Sequence, residues 1–206
     1  MPLVNYSSRE ITCKIVYYGP GRGGKTTNLQ DIHARIPEAR RGRMVSLATE
    51  MDRTLFFDFL PLDLGTLSGF QVRFQLYTVP GQVYYDATRK LVLQGADGVV
   101  FVADSQARRQ EENVESFRNL QSNLLAQDVD PRTIPLCLQF NKRDLEDAVT
   151  LEEMERALNY RGLRTFPAIA TRGEGVFETL RGISELVLES IASRVNRNDG
   201  VIPTDG

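Results

Sequence analysis

The stretch GPGRGGKT, residues 19–26, fits the pattern G-x-x-x-x-G-K-[ST] of a phosphate-binding loop. It follows the β-branched run ITCKIVYYG (11–19) and precedes KTTNLQDIHARI (25–36), in which apolar residues recur at helical spacing. A strand, a glycine-rich turn and a helix in this order are the context that supports the motif. In such a loop the backbone N–H groups point at phosphate oxygens, and the positive end of the helix dipole adds to the attraction.

Two side chains of this loop are suited to bind a nucleotide and its metal ion. Lys25 supplies a point charge for the β- and γ-phosphates, and Thr26 offers a hydroxyl to Mg²⁺. Other nucleotide-binding candidates in the loop are Gly19, Gly21, Arg22, Gly23, Gly24 and Thr27. Arg22 adds a second cation to the loop, which could either tighten nucleotide binding or compete with another arginine, such as Arg53, for the phosphates.

Beyond this loop the chain alternates between strand and helix patterns. Further strands are predicted at 54–64, 70–79, 98–104, 134–141 and 166–170, and further helices at 84–94, 108–126, 150–159 and 175–195. The first two of these strands are joined by GTLSG, which suggests a hairpin. The order predicts the α/β class, with a mostly parallel central sheet, one antiparallel hairpin strand and helices on both faces. We assign residues 1–195 to this single P-loop domain and expect 196–206 to be a disordered tail.

The composition argues against several classes of protein. A chain of 206 residues with 41% apolar content and a formal net charge of −2 fits one globular domain, without global attraction to nucleic acid or anionic lipid. No apolar run approaches the ~18 residues of a membrane span, and neither end carries a secretion or lipidation signal. We therefore expect a cytoplasmic protein without a direct membrane anchor.

The sequence NKRD (141–144) ends another predicted strand. A carboxylate at Asp144 can accept hydrogen bonds from the N1–H and the 2-amino group of guanine, a donor pair that adenine lacks. Asn141 and Lys142 would hold this loop and flank the base. Because ligands of α/β folds bind at the carboxyl ends of the strands, this tetrapeptide predicts a guanine site.

A second loop adds to the predicted base site. AIATRG (168–173) follows the next strand, and the backbone N–H of Ala170, beside Thr171, is a candidate donor to guanine O6. Together the two loops favour GTP or GDP as the bound nucleotide. An ATP-using P-loop enzyme is an alternative, against which Asp144 argues.

With the predicted hairpin, these motifs resemble the Ras-like small GTPases over residues 11–195. The runs REITCKIVYYGPG, DRTLFFDFLPLDLG, YTVPGQVYYDATRKLVLQGADGVVFVADS and NKRDL are similar to the MglA-like bacterial GTPases, which set cell polarity in gliding motility. This resemblance implies a switch between GTP- and GDP-bound states that is read by polarity and motility effectors, with recruitment to a cell pole by partners. It also implies an MglB-like roadblock GTPase-activating protein, a homodimer that lacks a catalytic arginine of its own.

The sequence YTVPGQ (77–82) departs from the family pattern. Most Ras-like proteins have an aspartate where Thr78 stands, and that aspartate helps to hold Mg²⁺ through water. Thr78 should weaken this outer contact without removing a direct ligand. The resemblance implies that the direct protein ligands are Thr26 and a switch threonine, for which Thr54 is the best candidate and Thr49 the second.

The resemblance also implies roles in hydrolysis for residues on either side of the nucleotide. The backbone N–H of Gly81 would sense the γ-phosphate, and Gln82 would orient the attacking water, alongside the phosphate-binding Lys25. Arg53, next to Thr54, would act as an arginine finger supplied in cis. We expect slow hydrolysis that a partner accelerates. The alternative is a nucleotide-locked binding module with little or no turnover, caused by the residues at positions 22 and 78.

Overall fold

The computed structural model describes residues 3–47, 57–67 and 69–198. In this part of the chain the strands are β1 (Leu3–Asn5), β2 (Glu10–Tyr18), β3 (Val45–Leu47), β4 (Phe57–Leu67), β5 (Phe70–Thr78), β6 (Gly98–Asp104), β7 (Leu136–Asn141) and β8 (Thr165–Pro167). The α-helices are α1 (Lys25–Arg35), α2 (Asp86–Leu93), α3 (Gln110–Leu125), α4 (Leu151–Leu158) and α5 (Val176–Asn198).

All eight described strands belong to one sheet, whose order is β3-β4-β5-β2-β6-β7-β8. The five strands from β5 to β8 in this order pair in parallel, whereas β4 pairs antiparallel with both β3 and β5. Strand β1 adds antiparallel to the start of β2. The predicted α/β class and the antiparallel hairpin are therefore confirmed.

Helices cover both faces of the sheet. Each strand contributes to both faces, because its successive side chains point to opposite sides. From β2, Cys13, Ile15 and Tyr17 pack with α1 and α5, while Val16 and Tyr18 pack with α2, α3 and α4. Every residue of β6 and β7 is buried, which explains why both strands are almost continuously apolar in sequence.

The structure differs from the predicted elements at several boundaries. Strands β1 and β3 were not predicted, because three residues are too few to show a period. Residues 65–67 of the predicted turn instead continue β4, after an irregularity between Asp63 and Gly65. Strand β8 ends at Pro167, where the prediction ran to 170, and α5 continues three residues beyond the predicted end at 195. Apart from the earlier end of β8, these differences leave the carboxyl ends of the parallel strands where they were predicted.

Candidate functional site

Several strand ends meet at one edge of the sheet and form a cavity. The phosphate loop follows β2, residues 79–82 follow β5, and the NKRD sequence begins in the last residue of β7. The cavity has a volume of about 830 Å³. It is lined by side chains and backbone of the phosphate loop, of β4 and of the segment after β5, including Gly21, Arg22, Lys25, Thr26, Asp58, Thr78, Gly81 and Gln82.

Close packing requires glycine at two positions of the phosphate loop. Gly19 has a φ of 138°, and a Cβ atom there would lie 2.1 Å from the carbonyl oxygen of Val102. Gly24 has a φ of 103°, and its Cβ would lie 2.1 Å from Nδ2 of Asn141. Arg22 also adopts a left-handed conformation, with a φ of 61°, and its side chain is exposed at the cavity. The loop is thus held curled by contacts with β6 and β7.

Lys25 is a buried cation directed back along the phosphate loop. Its Nζ donates hydrogen bonds to the carbonyl oxygens of Gly19 and Pro20, at 2.9 and 2.7 Å. Burial and, to a smaller extent, the charges of Arg89 and Arg109 lower the pKa of Lys25 from its ordinary value of 10.5 to about 7, while Asp58 opposes the shift. Because an uncompensated buried charge is costly, this site is suited to an anion that would restore the charge of Lys25.

A carboxylate that the sequence analysis missed lies next to Thr78. Asp58 on β4 is only 8% exposed and stands opposite Thr78 in the antiparallel pair of β4 and β5. The Thr78 hydroxyl donates to Oδ2 of Asp58 at 2.9 Å and accepts from the Asp58 backbone N–H at 2.8 Å. Asp58 also accepts hydrogen bonds from the hydroxyls of Thr26, at 2.6 Å, and Ser46, at 2.7 Å. A carboxylate therefore reaches the phosphate loop from β4 and not from β5.

These oxygen donors fit a magnesium ion that is bound together with phosphates. Mg²⁺ prefers oxygen ligands and is commonly held by one or two protein groups plus substrate phosphates. Thr26 and Asp58 supply such groups at the wall of the cavity. Among the described residues, no group of three or more His, Cys, Asp or Glu side chains could hold a metal ion.

The segment after β5 lies against the phosphate loop. A Cβ atom on Gly81 would lie 2.1 Å from the backbone nitrogen of Gly21, so only glycine allows this approach. A Cβ atom on Gly21 would be in ordinary contact with Gly81 and Gln82, at 3.8 to 3.9 Å. The Gln82 side chain is exposed, and its Oε1 accepts a hydrogen bond of 3.0 Å from the hydroxyl of Tyr84, which is itself 75% exposed.

Asn141 of the NKRD sequence joins the phosphate loop to the loop after β8. Its Nδ2 donates to the carbonyl oxygen of Gly23 at 2.8 Å, and its Oδ1 accepts from the backbone N–H of Ala170 at 2.9 Å. A guanine O6 would therefore have to share the N–H of Ala170 with Asn141. Thr171, the next residue, is exposed.

Two of the three charged residues of this sequence, Lys142 and Asp144, have ionic partners. Lys142 donates to the fully buried carboxylate of Asp104 at 2.6 Å, which fixes its stem beside the end of β6. Asp144 lies 3.7 Å from Arg172, and its side chain is 23% exposed. The Asp144 carboxylate therefore remains accessible for a donor pair from a base.

The sequence analysis also missed an arginine at the cavity. Arg109 follows β6, lines the cavity, and donates a hydrogen bond of 2.6 Å to the carbonyl oxygen of Gly21. Its Nε lies 3.8 Å from Asp104, the same carboxylate that binds Lys142. The run ADSQARR after a buried strand was an available signal, because charged residues at a strand's carboxyl end often serve a ligand.

The structure brings most of the predicted site residues together but leaves three outside its description. The phosphate loop, Gly81, Gln82 and the residues of the NKRD sequence surround the same edge of the sheet. The predicted arginine finger Arg53 and the predicted magnesium ligand Thr54 lie outside the described residues, as does the alternative ligand Thr49.

A phosphate loop, an NKRD sequence and an antiparallel hairpin on a parallel sheet define the class of small P-loop GTPases. The sequence model of the ADP-ribosylation factor family matches residues 3–187, and the chain belongs to that family. It is 59% identical to the mutual gliding-motility protein MglA of Myxococcus xanthus (strain DK1622) over 191 residues, which cover 93% of this chain and 98% of the relative. It is 25% identical to ADP-ribosylation factor-like protein 6 of Caenorhabditis elegans over 185 residues, 87% of this chain and 89% of the relative.

The family establishes the general activity of the chain. It is a GTP-binding switch that hydrolyses GTP, and the predicted resemblance to MglA-like GTPases is confirmed. Within the described ranges, no helix has the length and apolar character that crossing a membrane would require.

Proposed function

We propose that the residues lining this cavity, together with the loops 141–144 and 168–173 at the same edge of the sheet, bind GTP and GDP and that the segment after β5 positions the reacting groups. The observation that carries the proposal is the meeting of the phosphate loop, the Asp58 carboxylate and Gln82 at one cavity. The proposed nucleotide-binding residues are Gly19, Gly21, Arg22, Gly23, Gly24, Lys25, Thr26, Thr27, Thr54, Gly81, Asn141, Lys142, Asp144, Ala170 and Thr171.

We propose that Mg²⁺ accompanies the nucleotide, with Thr26 and Thr54 as direct protein ligands. Asp58 would take the outer role that an aspartate at position 78 has in most Ras-like proteins, because its carboxylate already accepts from the Thr26 hydroxyl. When bound, Mg²⁺ neutralises charge on the phosphates. Thr78 would orient Asp58 through the pair of hydrogen bonds between them.

Hydrolysis would depend on positioning, since phosphoryl transfer needs little covalent chemistry from the protein. Lys25 would stabilise charge on the phosphates, Gln82 would orient the attacking water, and Arg53 would stabilise charge in the transition state. The hydrogen bond from Tyr84 to Gln82 occupies the side-chain oxygen of Gln82. A partner that engages the exposed Tyr84 would free Gln82, which agrees with slow hydrolysis in the unpartnered protein.

The proposed partners follow from the relative in Myxococcus xanthus, whose name places it in gliding motility. We propose that the GTP-bound state acts on polarity and motility effectors at a cell pole and that a homodimeric, MglB-like roadblock protein stimulates hydrolysis. We also propose a cytoplasmic location and a GTPase domain over residues 1–195, followed by a C-terminal tail. The coverage of the relative, at 98% of its length, supports the comparison of whole chains.

Single-turnover GTP hydrolysis with a saturating MglB-like activator tests this function. Gln82→Ala and Arg53→Ala should bind GTP and the activator almost normally, yet each should lose most of the stimulated rate, because both side chains act mainly in the transition state. Thr78→Asp is the comparison variant and should stay within about tenfold of the wild-type rate, roughly 1.4 kcal/mol. Full stimulation of Arg53→Ala would contradict the cis-finger role, and a wild-type chain without turnover would favour the nucleotide-locked module.

The proposed role of Asp58 predicts a weaker hold on Mg²⁺ in Asp58→Asn. We expect this variant to need about tenfold more free Mg²⁺ than the wild type to slow the release of fluorescent GDP, a difference of about 1.4 kcal/mol. The double variant Asp58→Asn/Thr78→Asp should recover most of the loss, because it returns a carboxylate from β5. Asp63→Asn, on the same strand but not among the residues that line the cavity, is the matched control. Equal Mg²⁺ requirements for Asp58→Asn and the wild type would refute the assignment.

A further inference from the structure

Arg89 is a nearly buried cation that the activity described so far does not use. It lies on α2, seven residues after Gln82, and its side chain is 6% exposed. Burying a guanidinium is costly unless its donors are satisfied, so its partners indicate what it holds in place. The described partners include two groups, one in the helical layer and one in the segment after β5.

The first group anchors the guanidinium to α3. Its Nε donates to Oδ1 of Asn119 at 2.9 Å, and one terminal nitrogen lies 3.3 Å from Oδ1 of Asp86. Asp86 in turn accepts from the side-chain amides of Asn119, at 2.8 Å, and Asn123, at 3.0 Å. Burial would raise the pKa of Asp86, but these hydrogen bonds and Lys90 outweigh it and keep the pKa well below its ordinary value. Asp86 therefore stays ionised as the counter-charge of Arg89.

The second group is backbone of the segment after β5. The other terminal nitrogen of Arg89 donates to the carbonyl oxygen of Gln82 at 2.5 Å and to that of Pro80 at 3.4 Å. These two carbonyls flank Gly81, the residue that lies against the phosphate loop. A planar guanidinium can bridge a helix and a loop in this way, because its donors diverge in a fixed geometry.

We propose that Arg89 is a positioning residue for GTP hydrolysis, which clamps the backbone on both sides of Gly81 to α3. The clamp would hold the Gly81 N–H and the Gln82 side chain at the phosphate end of the cavity. Arg89 does not line that cavity; it lines a smaller one of about 90 Å³ beside it, with Gly81 and Asn119. The clamp therefore acts through the backbone and needs no direct contact with the phosphates. The inference rests on the proposed role of Gln82.

The proposal predicts a separation of binding from turnover in Arg89→Lys, which keeps the charge but loses the fork. We expect its GTP affinity to stay within about threefold of the wild type, and its single-turnover rate with a saturating MglB-like activator to fall about tenfold or more, because small misplacements of reacting groups slow reactions strongly. Without activator, amide hydrogen exchange over residues 80–85 should become faster. Lys90→Met is the matched control, because Lys90 also binds Asp86, at 2.9 Å, and should leave both measurements unchanged.

Further variants make the remaining outcomes decisive. Asn119→Ala keeps Arg89 but removes the acceptor of its Nε, and it should show an intermediate rate. If a thermal unfolding measurement shows that Arg89→Lys is not folded, Asn119→Ala serves as the test. A wild-type rate and exchange for Arg89→Lys, an equal loss in Lys90→Met, or a loss of GTP affinity would each overturn the clamp. Gln82→Ala in the same assay separates the two proposals. If Gln82→Ala loses rate and Arg89→Lys does not, only the clamp is contradicted. If Gln82→Ala keeps the wild-type rate, the proposed role of Gln82 is contradicted as well. If the activator has no effect on the wild type, the same comparison applies to the intrinsic rates.

Discussion

Lys25→Ala should lower the affinity for GTP and GDP by about a thousandfold, roughly 4 kcal/mol, the range expected when one partner of a buried charge pair is removed. The wild-type ammonium lies within the phosphate loop and is short of counter-charge there, so phosphates would gain most of its attraction. The fold should persist, because a buried cation is a cost to the nucleotide-free protein. Fluorescent-nucleotide titration measures the affinity.

Two further variants guard this prediction against an unfolding artefact. Lys25→Met keeps the apolar stem of the side chain, and its nucleotide-free form should melt no lower than the wild type in a thermal scan. Lys90→Ala removes an exposed lysine of α2 and should leave the affinity unchanged. Wild-type affinity in Lys25→Ala would mean that the phosphates bind elsewhere.

Asp144→Asn should reverse the choice of base. The amide presents one acceptor and one donor where guanine needs two acceptors, so the 2-amino group would lose its partner. We expect GTP affinity to fall at least a hundredfold, about 3 kcal/mol, and xanthosine triphosphate to become the preferred ligand, because a site built for hydrogen bonds discriminates strongly against a mismatched analogue. Competition titration with the two nucleotides measures the preference.

Arg172→Ala is the control for this prediction. It removes the ion pair of 3.7 Å with Asp144 but keeps the carboxylate, and a partly exposed pair of this kind contributes little energy. Its preference for GTP should therefore match that of the wild type. If Asp144→Asn still selects GTP over xanthosine triphosphate, the base site is not at the NKRD sequence.

Asp58 shows how a departure from a motif can be compensated in space. A reader of YTVPGQ expects a weakened magnesium site, because position 78 lacks the usual carboxylate. The paired strand β4 brings a carboxylate to the Thr78 hydroxyl from the opposite side of the hairpin. The acidic group thus lies on β4 and not on β5, and Thr78 is the hydrogen-bond partner of Asp58.

Much of the fold and of the candidate site could be predicted from the sequence, because these features depend on short stretches of the chain. The glycine pattern of the phosphate loop is a short motif within one stretch of sequence, and the bounds of α1 and β6 follow from a helical period and from a buried apolar run. The NKRD sequence was readable for the same reason, since it follows directly on a buried strand. These signals predicted the α/β class, which the topology of the sheet and the family confirm.

Tertiary structure alone decided which distant side chains meet. Asp58 lies next to Thr78 only because of the pairing register of β4 against β5. The irregularity between Asp63 and Gly65 shifts that register by one residue, and the hydrophobic pattern of the sequence does not indicate this shift. Arg89 likewise reads as one more polar residue of an amphipathic helix. Its burial, and its hydrogen bonds to Gln82 and Asn119, arise because α2 packs against α3. Pairing register and helix packing are set by the whole core, so no short stretch of the chain could determine them.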